Sequence, residues 1–174
     1  MCNDFFKREE LLMGTVGKDI FDIDRNELIK MLNKALSEEW LAYVQYFMGS
    51  KIVSGKGAAV VEAELLEHAQ EELEHAEKLI ARILQLEGVP VTNPKNWFEL
   101  AGCAYEDPKD PSTFKLLEQN IDGERCAIKS YNAILKFVEG KDPITYRIIL
   151  EILEDEIEHE DDLEKIFQDL KASN

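Results

Sequence analysis

Apolar residues recur at steps of three and four through most of the chain, the period of a helix buried on one face. The first stripe, Leu28, Leu32, Leu36, Tyr43, Tyr46 and Phe47, predicts helix A over about residues 25–53. Asp24-Arg25-Asn26-Glu27 precedes it in the form of a capping box, with Asp24 as N-cap and a Glu three residues on. Ser54-Gly55-Lys56-Gly57 reads as a turn. Helix B, about 58–87, carries Val61, Leu65, His68, Glu72, His75, Leu79 and Ile83. Gly88 is placed to end it in a left-handed cap, and Pro90 prevents continuation. Helix C, about 112–139, carries Leu117, Ile121, Glu124, Ile128, Tyr131, Leu135 and Val138, and stops at Gly140. Asp142 and Pro143 supply an N-cap and first-turn proline for helix D, about 143–170, with Ile149, Ile152, Glu156, His159, Leu163 and Ile166 on one face.

Between B and C, residues 88–111 lose the period and hold four of the five prolines. A connection this long is uncommon unless it crosses the bundle or serves function, and Asn96 to Cys103 admits a short helix. Residues 1–23 show no sustained period and read as a short amphipathic lead-in. The expected architecture is all-α and a single domain over residues 1–174. It is an antiparallel four-helix bundle with two short turns, one long B–C crossover and no fifth helix at the C-terminus.

Four of the stripes are interrupted where an apolar residue is expected. Glu39 interrupts A and Glu124 interrupts C. Glu72 and His75 interrupt B, and Glu156 and His159 interrupt D, each pair as Glu-x-x-His on one helix face. Glu39 precedes Glu72 by 33 positions and Glu124 precedes Glu156 by 32, and a tyrosine, Tyr46 or Tyr131, follows each lone Glu by seven. The halves therefore repeat. A chance Glu-x-x-His on a helix surface means little, but burying an uncompensated carboxylate is costly, and nothing cationic lies on these stripes. Two divalent metals would balance four carboxylates and leave two neutral imidazoles as further ligands. Imidazole with carboxylate suits iron, manganese or zinc. Tyr46 could hydrogen-bond such a site or donate an electron to it; ordinary packing explains it as well.

Composition narrows the function classes. With 36 acidic against 20 basic residues, the formal net charge of −16 repels phosphate backbones, so nucleic acid is an unlikely partner. No apolar run approaches the ~20 residues that span a bilayer, and the N-terminal residues lack the order of a signal peptide, so a cytoplasmic location is expected. Cys2, Cys103 and Cys126 form no Cys-x-x-Cys, which excludes a rubredoxin-type or zinc-ribbon knuckle.

One Glu from each of two helices with Glu-x-x-His from the other two is the ligand pattern of ferritin-like di-iron proteins. The chain resembles that superfamily over residues 25–171. The stretches Glu39 to Phe47, Ile80 to Pro90 and Ile152 to His159 look like bacterioferritin. The resemblance implies two irons per subunit held by Glu39, Glu72, His75, Glu124, Glu156 and His159, with Glu72 and Glu156 as bridges. Bacterioferritin binds haem through a methionine after the helix-B Glu; Leu73 stands there, so no haem is expected. The lack of a C-terminal helix and the crossover resemble Dps proteins. The branch that joins both sets of features is the Dps-like thioferritins. These imply a 12-subunit hollow homo-oligomer that oxidises Fe(II) with hydrogen peroxide or O2, detoxifies peroxide and stores ferric mineral. They also imply a redox-active pair near the site, Cys103 and Cys126; a free cysteine is otherwise most often a small buried hydrophobe. Two other readings stay open: a small-oligomer di-iron peroxidase of rubrerythrin type, and a non-catalytic helical interaction module.

Overall fold

A computed structural model describes residues 22–173; Cys2 and nearly all of the lead-in expected over residues 1–23 lie outside them. Four long helices form: α1 (Arg25–Ile52), α2 (Ala58–Gln85), α4 (Thr113–Val138) and α5 (Pro143–Ala172). A one-turn helix, α3 (Trp97–Leu100), follows a 3-10 turn at Pro94–Asn96 within the crossover. The described residues thus hold five α-helices rather than four, the additional one lying where Asn96 to Cys103 admits a short helix. The fifth is a single turn in the crossover. Among the described residues no helix is long and apolar enough to cross a membrane.

Local chemistry sets the helix ends. Asp24 accepts hydrogen bonds from the backbone N–H groups of Asn26 and Glu27, while the Glu27 carboxylate pairs with Lys30 at 3.1 Å. Asp142 caps α5 through Ile144 and Thr145 and also takes the Arg82 guanidinium of α2 at 2.8 and 3.0 Å. That buried pair ties the α4–α5 turn to the end of α2. At the end of α2 the left-handed residue is Glu87, with φ 60°, rather than Gly88. The Gly88 N–H bonds the Ile83 carbonyl at 2.9 Å, the six-residue closure of a Schellman cap. Gly88 serves a close approach instead: a Cβ there would lie 2.9 Å from Ile29.

Helices α1 and α2 pack as one hairpin and α4 and α5 as the other, with α1 against α4 and α2 against α5. The apolar stripes meet in two clusters. One gathers Leu28, Leu32 and Leu36 with Leu79, Ile83, Tyr131, Ile134, Ile149 and Ile152. The second gathers Tyr46, Val61, Leu65, Leu116, Leu117 and Leu163. On every long helix the interrupting Glu and His residues fall between these clusters in sequence, so the bundle has a polar slab between two apolar layers. Each fully buried Leu or Ile contributes roughly 1.5–3 kcal/mol relative to exposure, which holds all four helices in register around the slab. Phe47 belongs to neither layer: it is 37% exposed and stacks on Tyr43.

Candidate metal centre

The slab brings together all six residues expected as ligands. Glu39, Glu72, His75 and Glu156 form one group whose donor atoms lie within 4.8 Å of one another, and Glu72, Glu124, Glu156 and His159 form a second. Glu72 and Glu156 belong to both. The Nδ1 of His75 lies 3.4 Å from Glu39, 3.4 Å from Glu72 and 3.3 Å from Glu156. The Nδ1 of His159 lies 3.5 Å from Glu72 and 3.7 Å from Glu156. All six side chains are buried.

The donors fit a metal pair because several of their atoms are otherwise orphaned. Glu39 Oε2, both Glu156 carboxylate oxygens, and Nδ1 of His75 and His159 are buried without a hydrogen-bond partner. Native interiors rarely leave such atoms unpaired, and here five converge on one volume. Without a metal, the residues balance charge by sharing protons. Burial, then the charges of Glu72 and Glu156, raises the Glu39 carboxyl well above its ordinary range. Burial, then Glu156 and Glu72, does the same to Glu124. Burial also opposes charge on Glu72, but His159 and His75 outweigh it and hold that carboxyl low. Glu156 is held low in the same way, against burial and the Glu72 charge. Against burial, Glu156, Glu39 and Glu72 raise His75 far above the ordinary imidazole value. Against burial, Glu156 and Glu72 push His159 up to about 12.

A second ring of residues orients the first. The Tyr46 hydroxyl donates to Glu124, across the bundle, and the Tyr131 hydroxyl donates to Glu39. His75 Nε2 lies 3.0 Å from Asp155, and His159 Nε2 lies 2.8 Å from Glu71. Bonding at Nε2 leaves Nδ1 of each ring aimed into the slab. Tyr131, Asp155 and Glu71 were not among the expected site residues. Tyr131 was visible in the Glu…Tyr repeat. Asp155 and Glu71 carry a signal too, since an acid directly precedes the Glu of each Glu-x-x-His motif.

Over the slab lies a cavity lined by Glu39, Tyr46, Glu72, Glu124 and Glu156 and roofed by Cys103, Ala104 and Tyr105 of the crossover. Cys103 is disulfide-bonded to Cys126, two residues past Glu124, with Cα atoms 5.8 Å apart. Buried polar side chains of α1 hold the roof. Glu38 accepts from the N–H groups of Gly102 at 2.7 Å and Cys103 at 3.2 Å, and Gln45 accepts from Glu106 N–H at 3.0 Å.

Comparison with known proteins agrees with this geometry. The sequence matches the ferritin-like domain over residues 29–173. It is 36% identical over 142 residues to the DNA protection during starvation protein of Pyrococcus furiosus, covering 79% of this chain and 75% of the relative. It is 32% identical over 139 residues to Rhodobacter capsulatus bacterioferritin, covering 79% and 81%. The bacterioferritin-related protein of Bacteroides fragilis, described as a dodecameric thioferritin, superposes with a TM-score of 0.86 at 48% identity, covering 87% of this chain and 90% of that one. A carboxylate–imidazole slab inside such a bundle, with the domain matched over nearly every described residue, places the chain in the ferritin-like family, among relatives that include Dps proteins and a bacterioferritin-related thioferritin.

Proposed function

We propose that the protein is a di-iron ferroxidase of a Dps-like cage, which oxidises Fe(II) with hydrogen peroxide or O2 and stores the ferric product as mineral. The observation that carries this is the sharing of Glu72 and Glu156 by both donor groups, the arrangement two bridged metals need. Glu39 and His75 complete one metal position; Glu124 and His159 complete the other. Two Fe(II) held by these residues would supply the two electrons that, with two protons, reduce one hydrogen peroxide to two waters. Zinc or manganese would suit the same donors, and zinc, which has no accessible redox step, would occupy them without that chemistry. Tyr46 and Tyr131 fix the terminal carboxylates, and Asp155 and Glu71 fix the imidazoles. The cavity beneath Cys103 to Tyr105 gives the oxidant a place beside the metals. Cys103 and Cys126 form a redox-active pair at its edge. No haem is expected, because Leu73 follows Glu72.

The description of the B. fragilis protein as dodecameric supports a 12-subunit cage here. A cytoplasmic location belongs to the same proposal. The P. furiosus relative is named for DNA protection. A net charge of −16 opposes contact with phosphate, so protection by this chain would act through consumption of Fe(II) and oxidant rather than through DNA binding.

The test mixes metal-free protein with Fe(II) under anaerobic conditions, adds peroxide, and follows Fe(II) loss. Two Fe(II) consumed per peroxide, with the rate lost in Glu72→Ala, supports a ferroxidase; an equal rate in that variant contradicts it. Native mass tests the cage. Twelve chains of 20.0 kDa give roughly 240 kDa, whereas a dimer-sized species would leave the rubrerythrin-type peroxidase.

A further inference from the structure

His68 is the third histidine of the chain and has no part in the six-residue centre. It is 3% exposed, its ring stacks on His159 with centroids 4.0 Å apart, and its Nδ1 is buried without a hydrogen-bond partner. Its Nε2 lies 3.5 Å from Glu64 Oε1, one turn earlier on α2. Asp162, three residues past His159 on α5, completes the group. One donor atom from each of Glu64, His68 and Asp162 lies within 4.8 Å of the others. A core histidine that serves only packing usually has a partner for each ring nitrogen; this one does not.

The surroundings favour a cation. The group lies in a pocket also lined by Glu67, Glu158 and Asp169, where Lys165 is the one lysine or arginine among the lining residues. Lys165 pairs with Asp162 at 2.7 Å, three residues apart on one helix with the lysine largely exposed. Such exposed pairs contribute little and yield readily to a divalent ion. Glu71 and His159 also approach His68, but they bond each other at 2.8 Å as part of the dinuclear centre.

We propose that Glu64, His68 and Asp162 form a third divalent-cation site, adjacent to the dinuclear centre through the His68–His159 stack. Two carboxylates neutralise a divalent ion, and one imidazole with carboxylates suits a first-row metal such as Fe(II), Mn(II) or Zn(II). The pocket leaves further positions open to water. The site needs the dinuclear reading only for its adjacency, so each can fail alone.

The probe is Zn(II), counted per chain after equilibrium dialysis of metal-free full-length protein and placed by anomalous diffraction. The expected result is three zinc ions in the parent and two in His68→Phe, which keeps an aromatic ring on His159, with at least tenfold weaker third-ion binding in Asp162→Asn. If His68→Phe fails to fold, Asp162→Asn and Glu64→Gln, both at partly exposed positions, carry the test alone. Parent-like zinc counts and affinity in these variants, or no anomalous peak among Glu64, His68 and Asp162, overturn the third site. A peak there with none between Glu72 and Glu156 upholds it and removes the dinuclear centre instead.

Discussion

His75 and Asp155 meet across the α2–α5 interface, Nε2 3.0 Å from Oδ2, and His159 and Glu71 repeat the contact in the opposite sense at 2.8 Å. The acid ahead of each Glu-x-x-His motif therefore orients the histidine of the other motif. Outer partners of metal-bound histidines typically contribute about 10–100-fold to affinity or activity. Asp155→Asn should weaken metal binding by about that factor in a competition titration with a chromophoric chelator. Unchanged affinity would mean that packing alone aims His75.

Tyr46 and Tyr131 hold Glu124 and Glu39 through equivalent hydrogen bonds. Removing either hydroxyl leaves a buried carboxyl without its donor, at a cost of about 1–3 kcal/mol. Tyr46→Phe and Tyr131→Phe should lower the melting temperature of the metal-free protein by similar amounts in differential scanning calorimetry. If Tyr46 only positions Glu124, the two variants also slow Fe(II) oxidation alike. A much larger loss in Tyr46→Phe, with a tyrosyl radical seen in the parent, would assign it electron transfer.

The protonation pattern fixes the sign of the pH dependence. His75 and His159 are raised, so their contribution to metal-free stability is complete below the ordinary imidazole value of 6.5 and drains away as pH rises toward the folded value, about 12 for His159. The raised Glu39 and Glu124 act in the same direction, above the ordinary carboxyl value of 4.5. Glu72 and Glu156 are depressed, so their share persists until pH falls below that range. The metal-free protein should melt at a lower temperature at pH 9 than at pH 6.5. With saturating Zn(II) the trend should reverse, because metal and protons compete for the same atoms. Parallel curves for the two forms would contradict a metal centre at these residues.

The disulfide joins the crossover to α4 across a sequence separation of 23. Closing such a loop typically contributes 2–4 kcal/mol, roughly, when both ends are held in the native state. Cys126→Ser should lose about that much in urea denaturation, while the Glu38 bonds keep Cys103 over the cavity. A loss near zero would show that Glu38 and Gln45 alone hold the roof.

Much of this was legible in sequence because the signals are strong ones. Four carboxylates on apolar stripes stand out, since burial without compensation is costly, and Asp24 and Asp142 mark helix starts by their own side-chain chemistry. What stayed hidden depends on distance across the fold. Residues seven apart on a helix are about 10 Å apart along its axis, so Tyr46 reaches Glu124 of α4 rather than Glu39 of its own helix. Glu38 and Gln45 look like surface residues in sequence but are buried, each bonding both the crossover and α4. Phe47 follows the stripe spacing, yet Tyr46 takes the buried position beside it. Gly88 marked the end of α2 but not the residue that turns, because the tight contact with Ile29 requires glycine one position later.

The most direct test of the dinuclear centre is anomalous diffraction at the iron edge from crystals loaded anaerobically with Fe(II). Two peaks bridged by Glu72 and Glu156, one completed by Glu39 and His75 and the other by Glu124 and His159, are the predicted result. A single peak, or none among these six residues, would contradict it.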